Sequence, residues 1–147
     1  KQLVERERQL NEAYVQYLRG ANAGDRHCLR EMAKAYETGQ PGMPQNYRLA
    51  VDYYTRAAMR RDPKSIRILS DRYETGDRTP KDLQQAYAWR LVLTQLTGKA
   101  EDAEALDQLE RNMRLSEIKS GQEAAAKILK ELPSEASDAL SRLHTSR

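Results

Sequence analysis

The segment Tyr36-Glu37-Thr38-Gly39 returns as Tyr73-Glu74-Thr75-Gly76, and each copy lies within a longer matching frame. Before these segments the frames align at a constant offset, which pairs residues of similar size and polarity: Asp25 with Asp62, Cys28 with Ser65, Met32 with Leu69, and Ala33 with Ser70. After the glycines one loop is a residue longer, and the alignment resumes with Ala50 opposite Ala86 and Tyr53 opposite Trp89. Self-similarity at a period of about 20–50 residues indicates a stacked-repeat protein.

The first half of each frame has the pattern of an amphipathic helix. In the first copy the apolar side chains recur at helical spacing and form one stripe: Cys28, Met32, Ala33 and Tyr36. Arg30, Glu31 and Lys34 lie outside this stripe. Gly39, matched by Gly76, is expected to end the helix, because glycine readily takes the left-handed conformation found there.

The second half predicts a second helix, from about Asn46 to Arg60 in the first copy. Asn46 is expected to cap it, because Asp82, another strong N-cap residue, holds the matching position. The inward side chains are expected to be Ala50, Tyr53, Tyr54, Ala57 and Ala58. Asp62 and Pro63 then begin the next helix as its cap and its first residue. The sequence therefore predicts antiparallel helix pairs.

The two ends read as partial units of one domain spanning residues 1–133. We expect an N-terminal half-repeat at 1–23, repeats at 24–61 and 62–98, and a degenerate C-terminal unit at 99–133. Ala13, Tyr17 and Ala21 match Ala50, Tyr54 and Ala58. In the last unit Ser116 is expected to cap a helix that ends before Pro133, with the inner face Ala124, Ala125, Ile128 and Leu129. Residues 134–147 form a polar tail in which Ala136, Leu140 and Leu143 have the spacing of a short helix.

Charge and composition fit a helical protein with a solvated surface. The net charge is +3, 32% of residues are charged, and both signs are mixed along most of the chain. No apolar run approaches the length of about 18 residues that a membrane span needs. Two local runs of one sign are interpreted as solvated faces: a basic cluster of Arg56, Arg60, Arg61, Lys64 and Arg67, and an acidic one of Glu101, Asp102, Glu104, Asp107 and Glu110.

These residues resemble the Sel-1-like repeats, which are relatives of the tetratricopeptide repeats. The first helix of the family pattern has a small residue, then Leu followed by either Gly or Ala, then Tyr, and it ends at Gly. The second helix begins at Pro-x-Asp and continues with Ala, an aromatic residue and an Ala-Ala pair. The counterparts of this pattern here are Cys28, Met32, Ala33, Tyr36, Gly39, Pro44, Asn46, Ala50, Tyr53, Ala57 and Ala58. The second copy departs from it with Ser70 in place of Gly and with Leu93 and Thr94 in place of Ala-Ala, which bears on how closely the third unit packs. The resemblance implies an all-α, right-handed solenoid of antiparallel helix pairs.

The resemblance also implies a scaffold or adaptor that binds a protein partner and catalyses no reaction. In this architecture the first helix of each pair normally lines the concave wall. The positions there that the repeat stripe leaves free are His27, Arg30, Lys34, Lys64, Arg67, Asp71 and Glu74. Since Arg binds carboxylates in a bidentate manner, this surface is expected to take an acidic peptide or carboxylate. A bacterial protein of the periplasm or cell envelope is favoured, and an immunity or inhibitor protein that blocks a secreted toxin enzyme is the alternative.

Catalytic chemistry finds little support in the sequence. The chain has one cysteine and two histidines, His27 and His144, and shows neither a glycine-rich phosphate loop nor a metal-ligand spacing, so no cofactor and no metal is expected. Neighbouring helical residues face different directions, so His27 and Cys28 do not form a catalytic pair. Cys28, matched by Ser65, is interpreted as a packed thiol.

Nucleic-acid binding through the basic cluster is a minor alternative. Tyr36, Tyr53, Tyr54, Tyr73 and Trp89 recur with the repeat, so they are interpreted as packing residues between helices and not as a platform for bases.

Overall fold

The computed structural model describes residues 2–134, with side-chain surroundings from residue 12 onward. This part of the chain folds into seven helices and contains no strand: α1 Gln2–Asn22, α2 Arg26–Thr38, α3 Tyr47–Ala58, α4 Pro63–Thr75, α5 Leu83–Thr97, α6 Ala100–Glu110 and α7 Leu115–Glu131. The expected all-α repeat fold is confirmed. The short helix expected through Ala136, Leu140 and Leu143 lies outside the described residues.

Helix boundaries follow the capping residues in the sequence. The side chains of four N-cap residues accept hydrogen bonds from the backbone N–H three residues ahead: Asp25 and the expected caps Asn46, Asp62 and Asp82. Gly39 and Gly76 follow α2 and α4 with φ of 76° and 73°, a conformation that favours glycine. Short loops then turn the chain back, so α2 packs on α3 and α4 packs on α5.

The repeat positions form a continuous core along the array. Its central cluster joins both repeats and includes Ala33, Tyr54, Ala58, Ile66, Leu69, Ala88 and Trp89. A second cluster joins α1 to the first repeat through Ala21, Leu29, Met32 and Ala57. Tyr36 stacks on Tyr53, with ring centroids 5.7 Å apart, which confirms the packing interpretation of these aromatic residues.

Ser70 shows why a hydroxyl replaces the usual glycine in the second copy. The residue is fully buried, and its Oγ donates a hydrogen bond of 2.9 Å to the carbonyl oxygen of Ala86. The same Oγ accepts a hydrogen bond from Arg90 Nε at 2.9 Å. Ser70 therefore ties α4 to α5 at a position where the family needs only a small residue.

One expectation at the ends is wrong, and one matched position differs in burial. Ala13 keeps the repeat position of the buried Ala50 but is exposed, because no described helix lies over that side of α1. Ser116 lies inside the first turn of α7 and does not cap it. The cap is Arg114, whose backbone N–H donates to the Glu117 carboxylate at 3.0 Å.

The third unit is not a helix pair of the repeat type. Both α6 and α7 pack on α5, and α7 makes the more extensive contact. Gly121, early in α7, lies against Tyr87, early in α5. Pro133, just after α7, accepts a hydrogen bond from Arg61, just before α4, which runs antiparallel to α5. Helix α7 therefore runs in the same direction as α5 and covers it.

Candidate protein-interaction site

Arg30, expected to face a partner, instead holds two repeats together. Its Nη1 binds both carboxylate oxygens of Asp62, at 2.7 and 2.8 Å, and only 12% of its side chain is exposed. Asp62 also caps α4 through the backbone N–H and hydroxyl of Ser65. The expectation that Arg30 is free of packing contacts is wrong, because the Asp that begins the next helix pair lies beside it.

Arg67, one repeat later, makes the same kind of joint with a different acid. The N-cap of α6 is Lys99, which cannot accept a hydrogen bond through its side chain, and Arg67 reaches Asp102 in the first turn at 3.4 Å. Thr97 donates a hydrogen bond of 2.6 Å to the same carboxylate. Burial by itself raises the pKa of Asp102, but the hydrogen bonds from Thr97 and Arg67 outweigh burial and hold the pKa below its usual value.

Asp71 and Glu74 are also engaged within the molecule. Arg90, a buried residue of α5, donates to Asp71 at 2.7 Å and lies 3.6 Å from Glu74. In the first repeat, Tyr54 holds the place of Arg90 and donates to Glu37 at 3.2 Å. Sequence reasoning missed Arg90, since a charged residue at a position occupied by tyrosine gives no signal of its own.

Glu37 forms a further joint between the repeats. Its carboxylate binds Arg72 at 2.8 Å and Arg78 at 3.2 Å, and 10% of the side chain is exposed. Burial, followed by the negative charge of Glu37, raises the pKa of Tyr54. The charges on the first helices thus serve mainly to connect neighbouring repeats.

What remains on the first helices is a surface of mixed charge. We call it the first-helix surface: the exposed side chains of α2, α4 and α6, which include His27, Lys34, Lys64, Glu101 and Glu104. Lys34 lies 3.4 Å from Glu31, and His27 Nδ1 lies 3.1 Å from Arg30 Nη2. Charge along this surface is basic at α2, mixed at α4, where Lys64 and Asp71 are both exposed, and acidic at α6, so it does not form one cationic stripe.

A groove lined by apolar side chains opens beside α1. This α1 groove has a volume of about 380 Å³ and is lined by Tyr14, Val15, Leu18, Met32, Tyr36 and Met43. Val15 and Leu18 are 46% and 40% exposed, although both are aliphatic. Sequence reasoning missed this groove, but a signal was present: the matching positions on α3 carry the polar residues Asp52 and Thr55.

A second groove lies between the end of α1 and α3. This arginine groove is lined by Asn22, Gly24, Thr55, Arg56, Met59 and Arg60. Arg56 lies over the Tyr53 ring, 5.1 Å from its centroid, and a Cβ at Gly24 would lie 2.7 Å from Arg60 Nη2. Among the described residues, neither guanidinium has an ion-pair partner. The groove therefore presents two cations at the end of an apolar surface.

Among the residues that the structure describes, the reactive groups give no indication of a catalytic centre. Burial, followed by the charge of Asp25, raises the pKa of the Cys28 thiol to about 11, which suppresses the thiolate. Between residues 2 and 134 no cluster of His, Cys, Asp and Glu side chains has the arrangement of a metal site. In the same range no helix combines the length and apolar character that crossing a bilayer requires.

The Sel1 repeat family model matches residues 27–62 and 63–89, which cover the pairs α2–α3 and most of α4–α5. The chain contains two Sel1 repeats. The Sel1 repeat fold also occurs in a solved structure that is similar to this one: the crystal structure of a protective antigen present in uropathogenic Escherichia coli strains and displaying an SLR fold. The TM-score is 0.69 at 16% sequence identity over 86% of this chain, which spans 27% of the length of that protein. No curated protein matches the sequence.

Proposed function

We propose that this chain is a non-enzymatic scaffold that holds a protein partner, in a bacterial cell and at its envelope. Sel1 repeats are in general protein-interaction modules, which supports the scaffold role. The observation that carries the proposal is the α1 groove, where the exposed Val15 and Leu18 lie beside further apolar side chains that line the same concave surface. Exposed apolar grooves of this kind are typical of sites that bind another protein.

Contact of an acidic partner with the first-helix surface stays a prediction. It now depends on His27, Lys34, Lys64 and Arg67, whose side chain is 43% exposed beside Asp102, because Arg30 is buried against Asp62 and the acidic Asp71 and Glu74 bind Arg90. Replacing Arg30 would break a joint between repeats, so loss of binding in such a variant would not locate the site.

Affinity capture from the source cells, after nuclease treatment, tests the proposed function. The native chain is compared with Val15→Glu/Leu18→Glu and with Lys34→Glu/Lys64→Glu, whose altered residues are all exposed. We expect one of the two variants to lose a protein that the native chain retains. Capture of no protein by the native chain, or a catalytic turnover by the purified chain, would contradict the scaffold function.

A further inference from the structure

The apolar residues of the α1 groove recur on another helix of the same molecule. Tyr14, Val15 and Leu18 of α1 occupy the repeat positions held by Tyr87, Ala88 and Leu91 of α5. On α5 these residues are buried or half-buried, because α7 packs along them and α6 packs beside Tyr87 with Leu106 and Leu109. The molecule thus shows what kind of segment covers this helix face.

The cover of α5 is an amphipathic helix with small residues at its closest approach. A Cβ at Gly121 would lie 2.5 Å from the Tyr87 ring, so only glycine fits where α7 crosses the tyrosine. Further along, α7 contributes Ala124, Ala125 and Ile128 to the same contact. Along α7, the residues that pack on α5 therefore change from small to aliphatic in the direction in which α5 runs.

A further Sel1 repeat before α1 would leave this face open. Helix α3 lies inside the array, because it packs on α2 on one side and on α4 on the other. At the matching positions of α3, Asp52 is nevertheless exposed and Thr55 is half-buried. The face thus points away from neighbouring repeats, and its occupant must be a segment of another kind.

Charge at one end of the face indicates which helices fit. Asn22 lies one turn after Leu18 on α1 and lines the arginine groove with Arg56 and Arg60. Asp52 lies one turn before Arg56 and offsets only one of the two arginine charges. The segment from Asp52 to Arg60 therefore keeps a positive net charge. The C-terminus of a helix carries partial negative charge, and arginines bind carboxylates there with charge-assisted hydrogen bonds.

We propose that the α1 groove and the arginine groove together bind an amphipathic helix of a partner protein. This helix runs parallel to α1, crosses Tyr14 with glycine or alanine, packs aliphatic residues on Val15 and Leu18, and ends in carboxylates at Arg56 and Arg60. The inference rests on the proposed scaffold function and names the partner's chemistry and its site. The mode is a helix in a groove, in which residues one turn apart act as anchors.

A displayed library of helical peptides tests this proposal on the full chain. The peptides have the length of α7, 17 residues. Their stripe positions carry Gly, Ala, Ile or Leu, and their other positions carry Glu, Lys or Gln. We expect selected peptides to have small residues first, aliphatic residues later and glutamates in the last turns. Their affinity should fall at least about tenfold, or about 1.4 kcal/mol, for Leu18→Glu and for Arg56→Ala/Arg60→Ala.

Gln16→Glu is the matched control, because Gln16 is exposed on the opposite side of α1 and the change adds the same charge. Emission of Trp89, the single tryptophan and 4% exposed, shows whether each variant folds. Peptides that bind Leu18→Glu as well as the native chain, or that are rich in lysine in the last turns, would overturn the proposal. If these peptides instead lose binding to Lys34→Glu/Lys64→Glu, the scaffold function stands and only the assigned surface fails. If no peptide binds and the native chain also captures no protein from cells, both the scaffold function and the proposed helix-binding site fail.

Discussion

Asp62 performs two tasks with one carboxylate. It caps α4 through the backbone and hydroxyl of Ser65, and it neutralises Arg30 from the preceding helix pair. Both side chains of the ion pair are largely buried, at 12% and 5% exposure. Removing one partner of such a pair leaves the other charge without compensation in a poorly solvated place. Asp62 is therefore the residue at which the joint between the two Sel1 repeats is most vulnerable.

We predict that Asp62→Ala lowers the free energy of unfolding by about 3–5 kcal/mol, because Arg30 is left buried and unpaired. Asp82→Ala is the matched control, since Asp82 caps α5 but is exposed and bonds only the backbone of Gln85. Its loss should cost about 1 kcal/mol. Urea unfolding followed by Trp89 emission measures both. Equal losses for the two variants would show that the ion pair adds nothing to the cap.

At the level of helices, the contact of α7 with α5 depends on Gly121. In the interior of an exposed helix, replacing glycine by alanine stabilises a protein by about 0.5–1 kcal/mol. Here the added methyl group would overlap the Tyr87 ring, which the surrounding core holds in place. We predict that Gly121→Ala lowers the free energy of unfolding by about 1–3 kcal/mol, as expected for overpacking.

Ala126→Gly measures helix propensity alone, because Ala126 lies on the exposed side of α7. It should cost about 1 kcal/mol. Thermal or urea unfolding of both variants separates the two effects. A stabilised Gly121→Ala variant would show that α7 does not lie closely on α5.

The junction between α5 and α6 depends on the ionised form of Asp102. Its folded-state pKa is below the usual value of 3.8, so the carboxylate stabilises the fold fully above that value and loses its effect as pH falls through the folded pKa. We predict that Asp102→Asn is less stable than the native chain at pH 7 and that the difference shrinks below about pH 4.

Urea unfolding between pH 7 and pH 3 gives this difference directly. Glu101→Gln is the control, because Glu101 is exposed in the same helical turn and its replacement should leave stability close to native at pH 7. A difference for Asp102→Asn that grows toward low pH would contradict the assigned role.

Across the whole molecule, the sequence predicts what local patterns encode. The caps Asn46, Asp62 and Asp82 and most inward residues of the repeat were identified, because capping and helical periodicity depend on residues within a few positions. The buried Leu29 and Ile66 were missed. The ion pair between Arg30 and Asp62 was not identified, since it joins residues of different repeats. From the sequence alone, the position of Arg30 fits an exposed arginine equally well. The packing of α7 on α5 escaped for the same reason, because Gly121 meets Tyr87 only in the folded chain.

The α1 groove could be predicted from the sequence only in part. Val15 and Leu18 are apolar where α3 has Asp52 and Thr55, so the comparison of repeat positions marks the face. Its depth depends on Met43 from the loop after α2, which no periodicity predicts. A repeat alignment thus locates the helix face, and the fold adds the walls that make it a groove.

Site-specific photo-crosslinking in the source cells tests the protein-binding function most directly. A benzophenone amino acid replaces Leu18 in one variant and Gln16, on the opposite side of α1, in the other. We predict a covalent adduct with one protein from position 18 that is absent from position 16. Adducts with nucleic acid, equal adducts from both positions, or no adduct from position 18 would contradict a scaffold that binds its partner through this face.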